Sequence, residues 1–166
     1  MKGKGIVFLL VALVLPSVIF VFLKFFGKNE FAVEPLFQVA PAAGVPIACG
    51  HVTFPYHVPD SVLRNTLQHK KIDTVLLVVL GELDKESGTQ LARIEETFGD
   101  SRFMERLTFP KKELEEMYRT CVFLLPESHN VVMLDETGTI RGQYNASDRE
   151  DVDRLLTELT IVFKKY

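Results

Sequence analysis

The sequence predicts an α/β domain behind a single amino-terminal membrane helix, and three observations lead there. The 19 residues 5–23 carry no charge and are almost all aliphatic or Phe. Residues 74–80 form a short aliphatic run typical of a buried strand, and helical and strand-like patterns alternate after it. The predicted regions are therefore 1–27 (membrane anchor), 28–60 (Pro-rich tether or extended segment) and 61–166 (α/β domain).

Charge is divided unevenly along the 166 residues. The first 28 residues contain four of the 19 basic residues and none of the 22 acidic ones. The remaining 138 residues thus hold 15 basic and 22 acidic residues, a net charge of −7. Such a surface repels phosphate, and no stripe of Lys and Arg with interleaved aromatics offsets it. We therefore expect no nucleic-acid partner.

Residues 5–23 are long enough to cross a membrane. At 1.5 Å per residue, a 19-residue helix spans roughly the 30 Å hydrocarbon core. The bulky Leu23-Lys24-Phe25-Phe26 that follows is unlike a signal-peptidase site, so we expect an anchor that is not cleaved. Two lysines precede the segment and two follow it. The short amino-terminal tail favours the inner side, which predicts an extracytoplasmic, periplasmic-type location for the domain.

The segment 28–60 contains five prolines, which forbid a long helix. Its apolar residues alternate loosely with polar or small ones, and this pattern predicts that part of the segment adds an edge strand, where proline is tolerated. The alternating residues are Ile47, Val52, Phe54, Tyr56 and Val58.

The first half of the domain predicts a strand–helix–strand unit. Residues 74–80 read as a strand buried on both faces, because they form an unbroken aliphatic run. A helix begins near Ser87 and ends at Gly99. Residues 103–109 alternate as a half-buried strand should, and Pro110 ends that strand.

The second half predicts a short helix, a hairpin and a long helix. Residues 111–118 form the short helix. Residues 131–134 and 140–144 flank a turn in which Gly138 allows the positive φ of a hairpin. A capping box, Ser147–Glu150, begins the carboxyl-terminal helix. A parallel βαβ unit followed by an antiparallel ββα unit gives a four-stranded mixed sheet flanked by helices, which is the thioredoxin arrangement.

The sequence resembles a known family in two stretches. One is Val131-Val-Met-Leu-Asp-Glu-Thr-Gly-Thr-Ile-Arg-Gly-Gln-Tyr-Asn, with Asp148 and Val152-Asp-Arg-Leu-Leu after it; the other is Phe26-Gly-Lys-Asn-Glu-Phe31 behind the anchor. Both are similar to Sco/SenC-type proteins. These are membrane-anchored, thioredoxin-fold copper chaperones and thiol reductants that serve cytochrome c oxidase assembly. The resemblance implies a thioredoxin-like domain over 61–166 and a role beside that assembly.

The motif that carries the family's chemistry is absent from this sequence. Family members place Cys-x-x-x-Cys just after the first core strand and use a His upstream of the hairpin as a third copper ligand. Here the loop reads Gly81-Glu-Leu-Asp-Lys-Glu-Ser-Gly88 and has no sulfur. His129 lies close to the place of the family His, but an ungapped match from Asp135 puts Glu127 there, so that role is not transferred.

The chain has two cysteines, Cys49 and Cys121, which are 72 residues apart and belong to no C-x-x-C pair. Three interpretations remain open. They form a structural disulfide, which an extracytoplasmic location permits, or they are two unrelated buried thiols, or they form a reactive site.

A soft metal site is the sharpest chemical alternative. Thiolate and imidazole groups suit Cu(I) or Zn, and five residues could supply them. The candidate ligands are Cys49, His51, His57, Cys121 and His129. Because the Pro-rich surroundings do not fix these side chains, we predict no metal and no other cofactor, with copper as the alternative.

Other patterns indicate structure rather than catalysis. Glu82, Asp84 and Glu86 crowd the loop before a predicted helix, where carboxylates complement the helix dipole. Asn145-Ala-Ser147 matches a glycosylation sequon, but we assign Ser147 to a helix cap. No interpretable nucleophile–base set and no phosphate loop is present. We therefore predict no enzyme activity: a non-catalytic interaction or assembly factor with a protein partner, the alternative being a copper-binding or thiol-redox protein that uses Cys49, His51 and Cys121.

Overall fold

The computed structural model describes residues 3–26, 32–42, 44–66, 72, 74–99, 103–107, 109 and 111–165. Lys2, residues 27–31 and Pro110, on which parts of the sequence interpretation rest, lie outside this set. The chain divides into two compact units, Met1–Phe31 and Ala32–Tyr166. The first contains helix α1 (Gly3–Phe26), with Pro16 inside it. No helix that is both long enough and apolar enough to cross a membrane was found within the described residues.

The second unit is an α/β domain built on a four-stranded mixed sheet. Its strands are β1 (Val75–Leu80), β2 (Met104–Leu107), β3 (Val131–Asp135) and β4 (Ile140–Tyr144). Their spatial order is β2-β1-β3-β4. β1 runs parallel to β2 and antiparallel to β3, and β3 runs antiparallel to β4. The predicted parallel pair and the antiparallel hairpin are confirmed, and Gly138 has a φ of 76° in the turn.

Five α-helices, one 3₁₀ turn and one π-helical turn accompany the strands in the described residues. After α1 these are a 3₁₀ turn (Ile47–Cys49), α2 (Asp60–Asn65), α3 (Lys85–Phe98), α4 (Lys112–Met117), a π-helical turn (Tyr118–Val122) and α5 (Arg149–Lys165). The predicted helix 111–118 is therefore shorter than expected. Its last turn widens into π geometry, in which the Phe123 N–H donates to the carbonyl of Tyr118 at 2.9 Å.

One face of the sheet is covered by α3 and α5. Alternate strand residues face these helices, because successive side chains of a strand point to opposite sides. The buried residues of this face are Val75, Leu77, Val79, Leu91, Ile94, Val131, Met133, Tyr144, Ala146, Leu155 and Leu159. The apolar periodicity of the two helix sequences thus corresponds to real packing.

The other face is covered mainly by irregular chain. Segment 52–63 and the stretch from the π-helical turn to Leu125 pack over it. The buried residues of this face are Tyr56, Val58, Ile72, Leu76, Val78, Leu80, Leu107, Phe123, Leu125, Val132, Leu134 and Ile140. Because both faces are covered, every residue of β1 is buried.

The segment expected as a tether and edge strand behaves differently. Residues 32–60 belong to the same compact unit as the sheet, whereas the sequence placed a boundary at residue 60. Tyr56 and Val58 are buried core residues, which explains the difference. No strand forms in the described part of 32–60. The segment instead makes single hydrogen bonds to the hairpin, from Leu36 N–H to the Ile140 carbonyl (2.8 Å) and from Val58 N–H to the Gly138 carbonyl (3.0 Å).

The two predicted helix starts need correction. α3 is capped by Asp84, whose Oδ1 accepts the Ser87 N–H at 2.7 Å, and α5 has no Ser147–Glu150 capping box. At α5, Asp148 Oδ1 accepts the Glu150 N–H at 2.9 Å. Ser87 and Ser147 hydrogen-bond to each other instead, with their hydroxyl oxygens 2.8 Å apart. Two serines that each look like a cap therefore join the starts of α3 and α5.

Candidate functional site

The carboxyl end of β1 is where an α/β sheet commonly places its chemistry. The loop there, residues 81–84, contains acidic and apolar side chains and no thiol. Glu82 and Asp84 are exposed. The carboxylate of Asp84 accepts hydrogen bonds from the backbone and the side chain of Ser87. Both bonds lower the pKa of Asp84, and the bond from the backbone has the larger effect. This carboxylate therefore serves the helix terminus, as the sequence predicted for the acidic run.

Helix α4 comes very close to the backbone at this edge. A Cβ at Gly81 would lie 2.6 Å from Oε1 of Glu115, and φ at Gly81 is 79°. The positive φ favours glycine at this position, whereas the Glu115 carboxylate, at the end of a flexible side chain, could move aside. Arg119 lies beside Glu115 with 13% of its side chain exposed and its Nη2 3.8 Å from Glu115 Oε1. Arg119 also donates to the carbonyl of His129, so it joins the π-helical turn to the chain that enters β3.

His129 lies at the same edge, because β3 begins beside the end of β1. Its Nδ1 lies 2.9 Å from Oγ of Ser128, and its Nε2 lies 3.7 Å from Oδ2 of Asp151. Burial raises the pKa of Asp151, but hydrogen bonds from Asn145 and Arg154 outweigh it, so the net shift is downward. The carboxylate of Asp151 is thus already engaged, and the separation from His129 exceeds a hydrogen bond. The geometry allows an ion pair when His129 is protonated, and it lacks the hydrogen-bonded relay of a nucleophile, base and acid.

The two cysteines meet on the irregular face. Cys49, at the end of the 3₁₀ turn, and Cys121, in the π-helical turn, form a disulfide with their Cα atoms 5.0 Å apart. This is the first of the three interpretations that the sequence left open. Both residues are partly exposed. A bond between positions 72 residues apart in the chain ties the Pro-rich segment to the domain.

Two tyrosines brace the chain around this disulfide. The hydroxyl of Tyr56 donates to the carbonyl of Val122 at 2.7 Å, and burial raises the pKa of Tyr56 to about 12. The hydroxyl of Tyr118 lies 2.7 Å from Oγ1 of Thr66. Tyr56 therefore stays a neutral donor through the physiological range, and these two contacts help to hold the π-helical turn, as the Arg119 bond to His129 does.

The remaining candidate ligands do not converge. His57 lies 2.8 Å from Thr139, between its Nδ1 and the threonine hydroxyl, and His51 is exposed. Among the described residues no group of three or more His, Cys, Asp or Glu side chains could hold a metal ion. Cu(I) coordination by Cys49 and Cys121 would first require reduction of their disulfide, because thiolates are the ligands.

A small pocket of about 80 Å³ lies at the opposite edge of the sheet, near the start of β1. Its charged groups are Asp135 and Arg141, whose Oδ2 and Nε atoms are 2.7 Å apart. Burial raises the pKa of Asp135, but hydrogen bonds from Thr137, Thr139 and Arg141 outweigh it and the pKa is lowered. Because the two charges neutralise each other, the pocket has little attraction for an ion.

Sequence reasoning missed Arg119, which joins the π-helical turn to the chain entering β3. Arg119 directly follows the short helix predicted over 111–118, and nothing in the sequence distinguished this residue from an exposed arginine. The role of Tyr56 as a donor was also missed, because Tyr56 stood in a segment whose register could not be fixed. Asp135 is the polar residue whose structural role the sequence indicated most clearly, because an acidic residue at the start of a tight turn commonly accepts hydrogen bonds from that turn.

Comparison of the chain with protein-family models, with curated proteins and with solved structures gives no match.

Proposed function

We propose that this chain is a membrane-anchored, extracytoplasmic domain of the thioredoxin-like type that holds a protein partner and does not itself catalyse thiol–disulfide exchange. The resemblance of its carboxyl-terminal part to Sco/SenC-type proteins suggests a partner among the factors that assemble cytochrome c oxidase. This link depends on resemblance, since one fold serves many functions.

The sheet supports the thioredoxin-like part of the proposal. Its order is β2-β1-β3-β4, with one parallel pair at β1 and β2 and two antiparallel pairs beyond it. α3 connects the parallel pair, and α5 follows the hairpin and packs beside α3 on one face. This is the arrangement expected from the order of elements in the sequence.

The observation that carries the proposal is the chemistry at the carboxyl end of β1. The family that this chain resembles holds two thiols there, and Asp84 occupies this loop as the cap of α3. The two cysteines of the chain are bonded to each other on the irregular face of the sheet. The loop of residues 81–84 can therefore offer carboxylates and backbone groups to a partner, but it has no thiol with which to reduce one.

The anchor is supported by the sequence of residues 5–23, which contain no charged side chain. Extraction of cell membranes with alkaline carbonate tests it directly. We expect the chain to stay in the membrane pellet, and recovery in the supernatant would contradict the anchor. Protease added to intact spheroplasts should digest residues 32–166 if the domain lies outside, and protection from protease would contradict that side.

Two activity measurements test the rest. The full chain should not accelerate the reduction of insulin by dithiothreitol, whereas thioredoxin, the positive control, should; acceleration would contradict the non-catalytic assignment. Membranes from cells that lack the chain should show reduced cytochrome c oxidase activity, restored by the wild-type gene. Unchanged oxidase activity would contradict the assembly role and would leave the fold and anchor untouched.

A further inference from the structure

The chain between Phe37 and Tyr56 leaves the core and returns to it. The Tyr56 N–H donates to the Phe37 carbonyl at 3.0 Å and closes this excursion at its base. We call residues 38–55 the strap. Within its described residues, the backbone hydrogen bonds found are local: Gly44 to Pro41, Cys49 to Pro46 and Gly50 to Ile47. The backbone of the strap is thus held to itself and not to the sheet.

Side chains fasten the strap at two places. Val52 and Phe54, near its carboxyl end, pack partly buried against the core. Its middle is held by the Cys49–Cys121 disulfide, and the surroundings there are open. Ile47 is 98% exposed. A Cβ added at Gly44 or at Gly50 would meet no atom within 4 Å.

The receiving side of the disulfide is held independently of it. The carbonyl of Val122 accepts from Tyr56, and the carbonyl of Phe123 accepts from Nε2 of Gln143 at 2.8 Å. Tyr118 contacts Thr66. All these contacts lie outside the strap, so opening the disulfide removes none of them. The fastening joins a loosely held strap to a firmly held turn.

We propose that the Cys49–Cys121 disulfide is a redox-controlled fastening, which a protein dithiol of the Cys-x-x-Cys class opens, so that the strap detaches from the π-helical turn while the sheet stays folded. Partial exposure of both cysteines gives a thiolate access to the bond. This inference goes beyond the proposed function and does not rest on it.

The exchange balances without any further reactant. One thiolate of the partner attacks a sulfur of the Cys49–Cys121 bond, forms a mixed disulfide and releases the other cysteine as a thiolate. The second thiol of the partner, once deprotonated, attacks the mixed disulfide. The partner leaves as a disulfide, and Cys49 and Cys121 become thiols. Two electrons and two protons have then moved from the partner to this chain.

The test uses the full chain in detergent solution. Thioredoxin, with its reductase and NADPH, is the protein dithiol, and dithiothreitol is the small-molecule comparison. Alkylation and mass spectrometry count thiols, and amide hydrogen exchange reports local opening. We expect two new thiols per chain and exchange about tenfold faster or more in peptides covering 44–53, while β1 and β3 remain protected over the labelling time. Ribonuclease A in the same tube should keep its structural disulfides.

Each other outcome overturns the proposal in a distinct way. A disulfide that is reduced only after denaturant is added is purely structural. Complete loss of protection throughout β1 and β3 means that reduction unfolds the domain and does not release a strap. Reduction by dithiothreitol but not by thioredoxin removes the protein dithiol as the partner. The Cys49→Ser/Cys121→Ser variant is the control, and its strap should exchange fast in every buffer. Slow exchange in that variant would show that the disulfide is not the fastening.

Discussion

The two faces of the sheet are covered by different kinds of chain. One face carries α3 and α5, of 14 and 17 residues, whose apolar stripes lie directly on the strands. The other carries α2, of six residues, together with the π-helical turn and the base of the strap. Between them the two faces bury every residue of β1 and the apolar residues of β3 and β4. The difference teaches that irregular chain can seal a sheet as completely as a helix does, provided that specific ties hold it.

Those ties can be identified on the irregular face. The disulfide fixes the strap, and the hydroxyl of Tyr56 satisfies the carbonyl of Val122. The side chain of Gln143 on β4 donates to the carbonyls of Phe123 and Leu124 at 2.8 and 2.9 Å. Each such carbonyl would otherwise be partly buried without a donor, at a cost of about 1–3 kcal/mol. On the helical face the backbone satisfies its own groups, and packing supplies the stability.

The largest effect is expected on the helical face. Leu155 of α5 is fully buried there. Leu155→Ala should lower the free energy of unfolding by about 2–5 kcal/mol, because it leaves a cavity that rigid helices cannot fill. Urea denaturation of the full chain measures this. Leu156→Ala, at a partly buried neighbour, should cost clearly less, and equal losses would show that the stripe is misplaced.

The next effect concerns the tie on the irregular face. In oxidising buffer, Cys49→Ser/Cys121→Ser should lower the free energy of unfolding by about 2–4 kcal/mol, because a long loop in the unfolded chain is no longer closed. The same denaturation experiment measures it against the oxidised wild type. A loss under about 0.5 kcal/mol, the range of an ordinary surface substitution, would mean that the disulfide contributes nothing to holding this face.

A smaller effect is expected at Tyr56. Tyr56→Phe removes the donor to the Val122 carbonyl and keeps the ring, so we expect a loss of about 1–2 kcal/mol. Tyr118→Phe is the matched control. It removes a hydrogen bond to Thr66 that is more easily replaced by water, so its loss should be below about 1 kcal/mol. The opposite ranking would show that the Thr66 contact, and not the Val122 contact, braces the π-helical turn.

The smallest expected effect is pH-dependent and lies in the β3–β4 turn. The pKa of Asp135 is lowered from its ordinary 3.8, so its carboxylate stabilises the fold above that pH, and this contribution is lost as pH falls below it. Asp135→Asn should cost about 1 kcal/mol at pH 7 and less at pH 3, where the carboxylate begins to be protonated. Denaturation at pH 7 and at pH 3 measures the difference. Glu136→Gln, at an exposed neighbour, should change neither value, and a parallel loss there would point to net charge.

The helical face could be predicted from sequence, and the irregular face could not. The aliphatic run of β1 and the Gly138 turn are local signals with one simple structural solution, and both predictions are confirmed. The start of α5 was predicted one residue early and that of α3 three residues late; at α5 Ser147 and Asp148 are equally good caps in isolation. Only the packing of α3 against α5 directs Ser147 to Ser87. Local sequence therefore does not determine which of the two residues accepts a hydrogen bond from the first turn of α5.

The site was harder still. Arg119 acts through the carbonyl of His129, ten residues away, and Cys49 finds Cys121 across 72 residues. Neither partner is encoded by spacing. The thiol-free loop after β1, in contrast, was evident from the sequence, because it required only the position of one strand. Absence of a motif is thus easier to predict here than the contacts that take its place.

Strand β2 has a consequence for how copies of this domain meet. It lies at the outer side of the sheet and is only four residues long, and two of them, Glu105 and Arg106, are charged. Because this edge strand is short and charged, it offers a neighbouring copy few backbone N–H and C=O groups with which to extend its own sheet. Crowded copies of the domain therefore resist stacking into fibrils along this edge, and replacing those charges with valine would promote aggregation.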